Sequence, residues 1–260
     1  LIKPFIKNQN KEMKVSKGIK KILDWLNENE TYATFFVVGE ILEEIPELID
    51  QIKKSGHEIG FHTMTHKKLH EIKTKENFEI ELEKFRNIVG SNVKGFRAPT
   101  FSLDSSTSWA IDSLKKFGYS YDSSIVPIKT KMYGLSDADK HPYKISSSSI
   151  EKHDPKSEFW EFPLMKTKFL GKKIPAGGGF YLRTLPSKII EKSINEYNKD
   201  DKPAIMYIHS WELTPEYMPK IDLPIKEKFI TYHNIHKSLP KMDELIKKFK
   251  FTSFERYLKE

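Results

Sequence analysis

His57-Glu58-Ile59-Gly60-Phe61-His62-Thr63-Met64-Thr65-His66 is a short apolar run that leads directly into two histidines four residues apart. If the segment after Phe61 turns into a helix, both imidazoles lie on one face of it. A neutral imidazole is the commonest protein ligand for zinc-like metals. The spacing therefore indicates half of a metal site, although exposed or capping histidines are the commoner explanation of such a pair.

The position of this pair strengthens the metal interpretation. His62 and His66 follow a strand-like run, and α/β architectures place their functional loops at the ends of strands. His70 continues the same spacing by one turn, but Lys67 and Lys68 lie beside it in the sequence. We therefore expect His62 and His66 to be the ligands and His70 to be a solvated surface residue.

Strand-like and helical patterns alternate along the whole chain, which predicts the α/β class with a parallel sheet. A length of 260 residues fits a single barrel of this class. Residues 127–157 and 213–236 lack a pattern and are expected to be irregular. The expected strands are 32–38, 57–61, 93–97, 119–125, 159–165 and 204–208, and the expected helices include one capped by Ser16 and one spanning Ile41 to Ile52.

Three further polar residues occupy the same place in successive units. Arg97 and His209 end their strands, and Asp122 lies within another. A cylinder of parallel strands would bring these positions together at one mouth. Taken singly, Arg97 is also consistent with a surface ion pair, Asp122 with a turn or cap, and His209 with a buried core histidine. Their shared position favours a functional site.

Composition limits the possible chemistry. The chain has no cysteine, so a metal would have to bind through histidine and carboxylate. The net charge of +8 comes from lysines interleaved with 36 acidic residues, which favours solvated surfaces over nucleic-acid binding. No apolar run approaches the roughly 18 residues of a membrane span. We expect neither a nucleic-acid partner nor an integral membrane segment.

Several ordered motifs resemble the polysaccharide deacetylase (NodB-homology) family of carbohydrate esterases. Residues 33–37 resemble its second-strand signature, 56–66 its metal-binding motif, 96–101 its arginine motif and 205–209 its last catalytic motif. Residues 121–125, 175–180 and 209–212 are similar to an exopolysaccharide-associated branch that has a C-terminal extension, here about residues 210–260. The resemblance covers almost the whole chain, as a single domain over residues 1–260.

The resemblance implies a distorted (β/α) barrel of about seven strands that binds a divalent metal, most simply Zn²⁺. His62 and His66 would be two of its ligands, and His209 would protonate the leaving amine. Arg97 would orient a carboxylate base, and Asp122 would tune His209. The substrate would be an N-acetylated glycan, and the protein would act in the cytoplasm or at the cell envelope. The glycine run Gly177-Gly178-Gly179 permits close backbone approach or makes a flexible connector, and no role is assigned to it.

The sequence departs from the family in one respect. The family's acidic pair on the first strand, which supplies the base and the third metal ligand, has no counterpart before Thr31. We expect this strand upstream of residue 1. Two alternatives stay open, namely an amidohydrolase of small cyclic amides and a catalytically inactive glycan-binding homologue.

Overall fold

The computed structural model describes residues 10–130, 133–218 and 222–260. Its strands are β1 (Thr34–Val37), β2 (Glu58–Phe61), β3 (Gly95–Phe96), β4 (Tyr121–Asp122), β5 (Tyr143–Lys144), β6 (Trp160–Glu161), β7 (Lys166–Phe169) and β8 (Lys172–Pro175). Its helices are α1 (Asn10–Glu28), α2 (Gly39–Glu44), α3 (Glu47–Lys54), α4 (Leu69–Ile72), α5 (Lys75–Val89), α6 (Trp109–Lys116), α7 (Gly179–Thr184), α8 (Ser187–Asn198), α9 (Ser210–Leu213), α10 (Ile225–Tyr232), α11 (Ser238–Ile246) and α12 (Phe254–Tyr257).

The sheet is built as the alternating pattern predicts. The strand order is β1-β2-β3-β4-β6-β5, and all neighbours are parallel except β5 and β6. Parallel bridges from Leu164 to Ile205 and from Gly178 to Tyr207 continue the wall beyond β6. The expected strand 204–208 therefore appears only as isolated bridges. The wall curves into a distorted barrel with helices outside it.

The C-terminal run closes one end of this barrel. The ring of Phe254 lies 4.8 Å from Phe162, 5.0 Å from Tyr121 and 6.0 Å from Phe36, measured between ring centroids. Its backbone N–H donates to Thr34 Oγ1 at the start of β1. This plug at the amino ends of the strands leaves the carboxyl ends as the open mouth.

Several boundaries differ from the sequence expectations for local reasons. Helix α1 begins at Asn10, so the predicted cap at Ser16 is wrong. The helix expected over Ile41–Ile52 is split into α2 and α3, because Pro46 cannot donate a helical hydrogen bond and disfavours helix in the preceding residue. The irregular segments contain β5 and α10, and the hairpin of β7 and β8 had no clear signal.

The residues of β1, at one edge of the barrel wall, are less buried than those of the neighbouring strand. All four residues of β2 are buried, whereas all four residues of β1 are only half-buried although three of them are apolar. Met206, Tyr207 and Ile208, which lie within and directly after the last bridged segment, are also half-buried. Among the described residues, the edge of β1 opposite β2 has no strand partner. No helix in the described part of the chain is long and apolar enough to cross a bilayer.

Candidate active site

His62 and His66 are brought together by a loop and not by a helix. The chain is irregular from His62 to Lys68, and Thr63 and His66 have left-handed φ angles of 58° and 59°. The two imidazole centroids lie 4.9 Å apart with their planes at 70°. Such a backbone is uncommon for residues other than glycine and is typical of functional sites. The expected pairing is thus present, but its predicted helical origin is wrong.

This histidine loop is fixed at both sides by hydrogen bonds. The carbonyls of Thr63 and Met64 accept from the backbone N–H groups of Gly39 and Glu40 at the start of α2, at 3.0 and 2.9 Å. The Met64 N–H in turn donates to the Glu81 carboxylate at 2.9 Å. Buried apolar contacts of Met64 add to this anchoring. The loop can therefore hold two imidazoles at a fixed separation.

The hydrogen bond made by the His62 ring determines which of its two nitrogens could bind a metal. Its Nδ1 lies 2.6 Å from the carbonyl oxygen of Arg97. A carbonyl can only accept, so Nδ1 carries the proton and Nε2 keeps its lone pair. Burial, followed by the nearby charge of His66, lowers the pKa of His62 to about 3. A neutral imidazole with its second N–H held by a backbone carbonyl is the usual state of a metal ligand.

Arg97 lies at the carboxyl end of β3, buried inside the mouth. Its Nε donates to the Ser123 carbonyl at 2.8 Å, and its Nη2 donates to Ser123 Oγ at 2.6 Å. The guanidinium carbon lies 4.4 Å from the Phe36 ring centroid and 5.8 Å from that of Tyr207. Burial lowers the pKa of Arg97 to about 10, which leaves it charged at neutral pH. Among the described residues its side-chain hydrogen bonds go to Ser123 and not to a carboxylate.

Asp122 lies deeper in the barrel than expected, among other buried groups. Its carboxylate accepts from Ser124 Oγ at 2.6 Å and from the Ser124 N–H at 3.0 Å. The pairing of β4 with β6 sets it opposite Glu161, which is also fully buried. Burial raises the pKa of both carboxyls, and the charge of Asp122 raises that of Glu161 further. The structure brings Asp122 to Ser124 and Glu161, and gives no hydrogen bond between Asp122 and His209.

His209 stands at the mouth, directly after the last bridged segment. Its ring stacks on Trp211 with centroids 5.1 Å apart and planes at 18°. Its side chain is 51% exposed on the open side, and its Nδ1 lies 2.9 Å from Glu212 Oε2. Desolvation, followed by the charges of His66 and Arg183, lowers the pKa of His209 to about 4.

Glu212 and Arg183 are site residues that sequence reasoning did not select. Both are fully buried, and they form an ion pair behind His209. Glu212 was visible only as part of the 209–212 motif. Arg183 had a weaker signal: it is one of four arginines in a chain that otherwise uses lysine, and arginine is favoured where a buried cation must bind several acceptors.

Two family models match adjoining parts of the chain. Residues 12–121 match the model described as polysaccharide deacetylase, and residues 123–259 match a domain of unknown function, DUF3473. Residues 12–121 thus belong to the polysaccharide deacetylase family. His62, His66 and Arg97 lie in the first match, and His209, Glu212 and Arg183 lie in the second.

Curated relatives are similar to this chain over parts of their length. A peptidoglycan-N-acetylglucosamine deacetylase of Bacillus cereus is 33% identical over 96 residues, which is 35% of this chain and 35% of that protein. A peptidoglycan deacetylase of Helicobacter pylori is 27% identical over 187 residues, covering 69% of this chain and 59% of its own length. The chain thus spans about a third of the first relative and less than two thirds of the second.

A solved structure supports the architecture. A Mycobacterium smegmatis protein assigned as a polysaccharide deacetylase has a TM-score of 0.55 at 17% identity, over 92% of this chain and 75% of that one. At this identity the likeness concerns the fold alone. It confirms the distorted (β/α) barrel that the sequence predicts.

The described side chains of this chain provide some, but not all, of the ligands of a divalent metal. Nε2 of His62 keeps its lone pair, and the His66 ring centroid lies 4.9 Å from that of His62. Within the ranges that the structure describes, no group of three or more histidine or carboxylate side chains is close enough to hold an ion. Catalytic zinc normally has three protein ligands. The described residues therefore supply two imidazoles of such a site.

Proposed function

We propose that this chain forms the core of a metal-dependent hydrolase that removes N-acetyl groups from an amino-sugar polymer. The observation that carries the proposal is the convergence of His62, His66, Arg97 and His209 at the mouth. The two imidazole centroids of His62 and His66 lie 4.9 Å apart, and the Arg97 carbonyl oxygen lies 2.6 Å from His62 Nδ1. The Tyr207 ring connects the other two residues, at 5.8 Å from the Arg97 guanidinium carbon and 5.5 Å from the His209 ring. Membership of the deacetylase family supports the same reaction. The relatives named above point to a polymer containing N-acetylglucosamine.

His62 and His66 would hold the ion, and their imidazole donors suit Zn²⁺. When bound, such an ion makes water more acidic and polarises a carbonyl. The loop from His62 to His66 contributes rigidity, because its backbone is tied to α2 and its first imidazole to the Arg97 carbonyl. Both ligands are therefore oriented before an ion binds.

His209 would act as the general acid. Deacetylation adds water across the amide C–N bond, so acetate forms and the sugar nitrogen must take up a proton as that bond breaks. An amine anion is far too basic to leave unaided. With Nδ1 directed at Glu212, the Nε2 of His209 is the atom that faces a substrate at the mouth. Because the neutral ring carries its proton on Nδ1, His209 would first take up at Nε2 the proton that the general base removes from water, and would then pass it to the leaving nitrogen.

Arg97 would orient the carboxylate that serves as general base. We propose that this carboxylate and the third metal ligand come from a strand beside β1, upstream in the sequence. Within the part of the chain that the structure describes, the half-buried edge of β1 has no strand partner, which supports this proposal. The Phe36 ring on β1 lies 4.4 Å from the Arg97 guanidinium carbon. A strand at that edge would bring an acidic side chain next to Arg97. Removing such a strand from a longer natural chain should abolish acetate release, and retained activity would refute this assignment.

The proposal is tested by incubating the longest natural chain that contains residues 1–260 with Zn²⁺ and N-acetylglucosamine oligomers or peptidoglycan fragments. We expect acetate and free amine in equal amounts. Glycan binding without acetate release would instead support the non-catalytic homologue. Hydrolysis of small cyclic amides with no action on glycans would support the amidohydrolase.

A further inference from the structure

One carboxylate oxygen of Glu212 contacts His209 at two points, the ring and the backbone N–H. Oε2 of Glu212 lies 2.9 Å from the ring Nδ1 and accepts from the His209 backbone N–H at 3.0 Å. These contacts fix both the side chain and the start of α9. Because a carboxylate only accepts, Nδ1 carries the proton and the tautomer of the neutral ring is defined.

Glu212 is held in turn by Arg183, which links it to α10. The other nitrogens of the guanidinium donate to backbone carbonyls at the end of that helix. The Arg183 Nε bonds to the His233 carbonyl at 2.7 Å, and Nη2 bonds to the carbonyls of Thr231, at 3.1 Å, and Ile230. The last carbonyls of a helix are unsatisfied and carry partial negative charge, so they stabilise a buried cation. Arg183 therefore connects the base of the site to the C-terminal segment.

The glycine run before α7 makes room for this carboxylate. A Cβ atom on Gly179 would lie 2.1 Å from Glu212 Oε2 and 2.5 Å from its Cδ, distances that no side chain could accept. A Cβ atom on Gly177 would likewise lie 2.4 Å from the Ile205 carbonyl oxygen. Of the two sequence interpretations, close backbone approach is correct, and the segment approached is the one that carries His209.

We propose that Glu212 is the positioning residue for His209, that Arg183 locks Glu212 in place against α10, and that residues 123–259 thereby supply the acid half of the active site. This inference rests on the proposed function, because it assigns Glu212 to the reaction in which His209 acts. It gives the segment that matches a domain of unknown function a direct part in that reaction. It also replaces Asp122 as the carboxylate on His209.

The physical effect of Glu212 is twofold. It keeps the proton on Nδ1, so that Nε2 faces the mouth, and its negative charge stabilises the imidazolium that must donate. Among the described residues, the charged groups that lower the pKa of His209 are His66, Arg97 and Arg183, and they act against that imidazolium. The adjoining Tyr207 and Trp211 rings carry no charge at neutral pH. Glu212 is thus the group that favours the protonated acid.

The test uses two variants and a matched control. The double variant Arg183→Met/Glu212→Leu removes both buried charges together, so that neither charge is left unpaired. Glu212→Gln keeps an acceptor for Nδ1 but loses the charge. Lys241→Met is the control, since Lys241 also donates to backbone carbonyls, that of Leu182 within α7 and that of Leu185 directly after it.

The first readout needs neither metal nor substrate. Nitrogen NMR of ¹⁵N-histidine-labelled protein reports the tautomer of His209, with His209→Ala used for assignment. We expect the Nδ1–H form in the wild type, Glu212→Gln and Lys241→Met, and its loss in the double variant. An unchanged tautomer in a folded double variant would overturn the proposal even if the protein proved to be no deacetylase.

The second readout is kinetic, in the longest natural chain. We expect kcat to fall on the order of 100-fold in the double variant and about 10-fold in Glu212→Gln, with KM nearly unchanged, because loss of a supporting hydrogen-bond partner typically costs 10–100-fold. Lys241→Met should keep the wild-type kcat. A double variant with wild-type kcat, or a loss confined to KM, would contradict the positioning role.

Discussion

The carbonyl oxygen of Arg97 lies 2.6 Å from Nδ1 of His62, so one residue presents its backbone to the metal-ligand loop and its side chain to the barrel interior. Strand β3 pairs with β2 in parallel at Phe61 and Phe96, which puts both residues one step past the paired positions. The two motifs are therefore joined by sheet register. A change in either strand would misplace the other motif.

The first prediction concerns the metal. His62→Ala and His66→Ala should each weaken Zn²⁺ binding on the order of 100-fold or more, because each removes one of the few protein ligands. His70→Ala is the matched control, since His70 has the same four-residue spacing but is exposed and pairs with Asp104. Calorimetric titration with Zn²⁺ measures the effect. Equal affinity in the His62 and His70 variants would exclude the assigned pair.

The second prediction concerns Arg97. A lysine cannot reproduce the two-nitrogen contact with Ser123 and the stacking over Phe36, so Arg97→Lys should lower the free energy of unfolding by about 1–3 kcal/mol. It should also lower kcat on the order of 100-fold by displacing the base. Urea unfolding and acetate release measure the two effects. Arg86→Lys, on the exposed face of α5, should change neither the free energy of unfolding nor kcat. Equal effects of the two substitutions would show that Arg97 has no special role in stability or catalysis.

Much of the site was predictable because its residues follow strands. The positions of His62, Arg97 and His209 come from apolar runs that end at polar residues, and the parallel sheet then brings them together. Glu212 and Arg183 were not predictable in this way. Their pairing depends on how α7, α9 and α10 pack at the mouth, and those short elements carry no periodic signal. The loop geometry of His66 was equally hidden, since a four-residue spacing suggests a helix.

The third prediction concerns the buried carboxyls of Asp122 and Glu161. Their pKa values are raised, so the folded protein keeps a proton that the unfolded chain has already lost. With respect to these two groups, the free energy of unfolding is highest below the ordinary carboxyl pKa, near 4. It declines as the pH rises from there towards their raised pKa values. Glu161→Gln imitates the protonated form and retains an acceptor for the Ile125 N–H.

We therefore expect Glu161→Gln to flatten the fall in unfolding free energy above pH 4 and to be more stable than the wild type at pH 8. Denaturant unfolding at a series of pH values measures this. Glu158→Gln is the control, because Glu158 is exposed on the same segment and pairs with Lys144. A pH dependence of Glu161→Gln identical to that of the wild type would show that the buried pair does not titrate in this range.

The most direct test of the central claim is the turnover of His209→Ala on N-acetylglucosamine oligomers, in the longest natural chain and with its metal content measured in parallel. A general acid acts in the transition state, so kcat should fall by about 10²- to 10⁴-fold while KM and bound Zn²⁺ stay near their wild-type values. An unchanged kcat in the metal-loaded variant would contradict the proposal, because it would show that the amine leaves without a proton from His209.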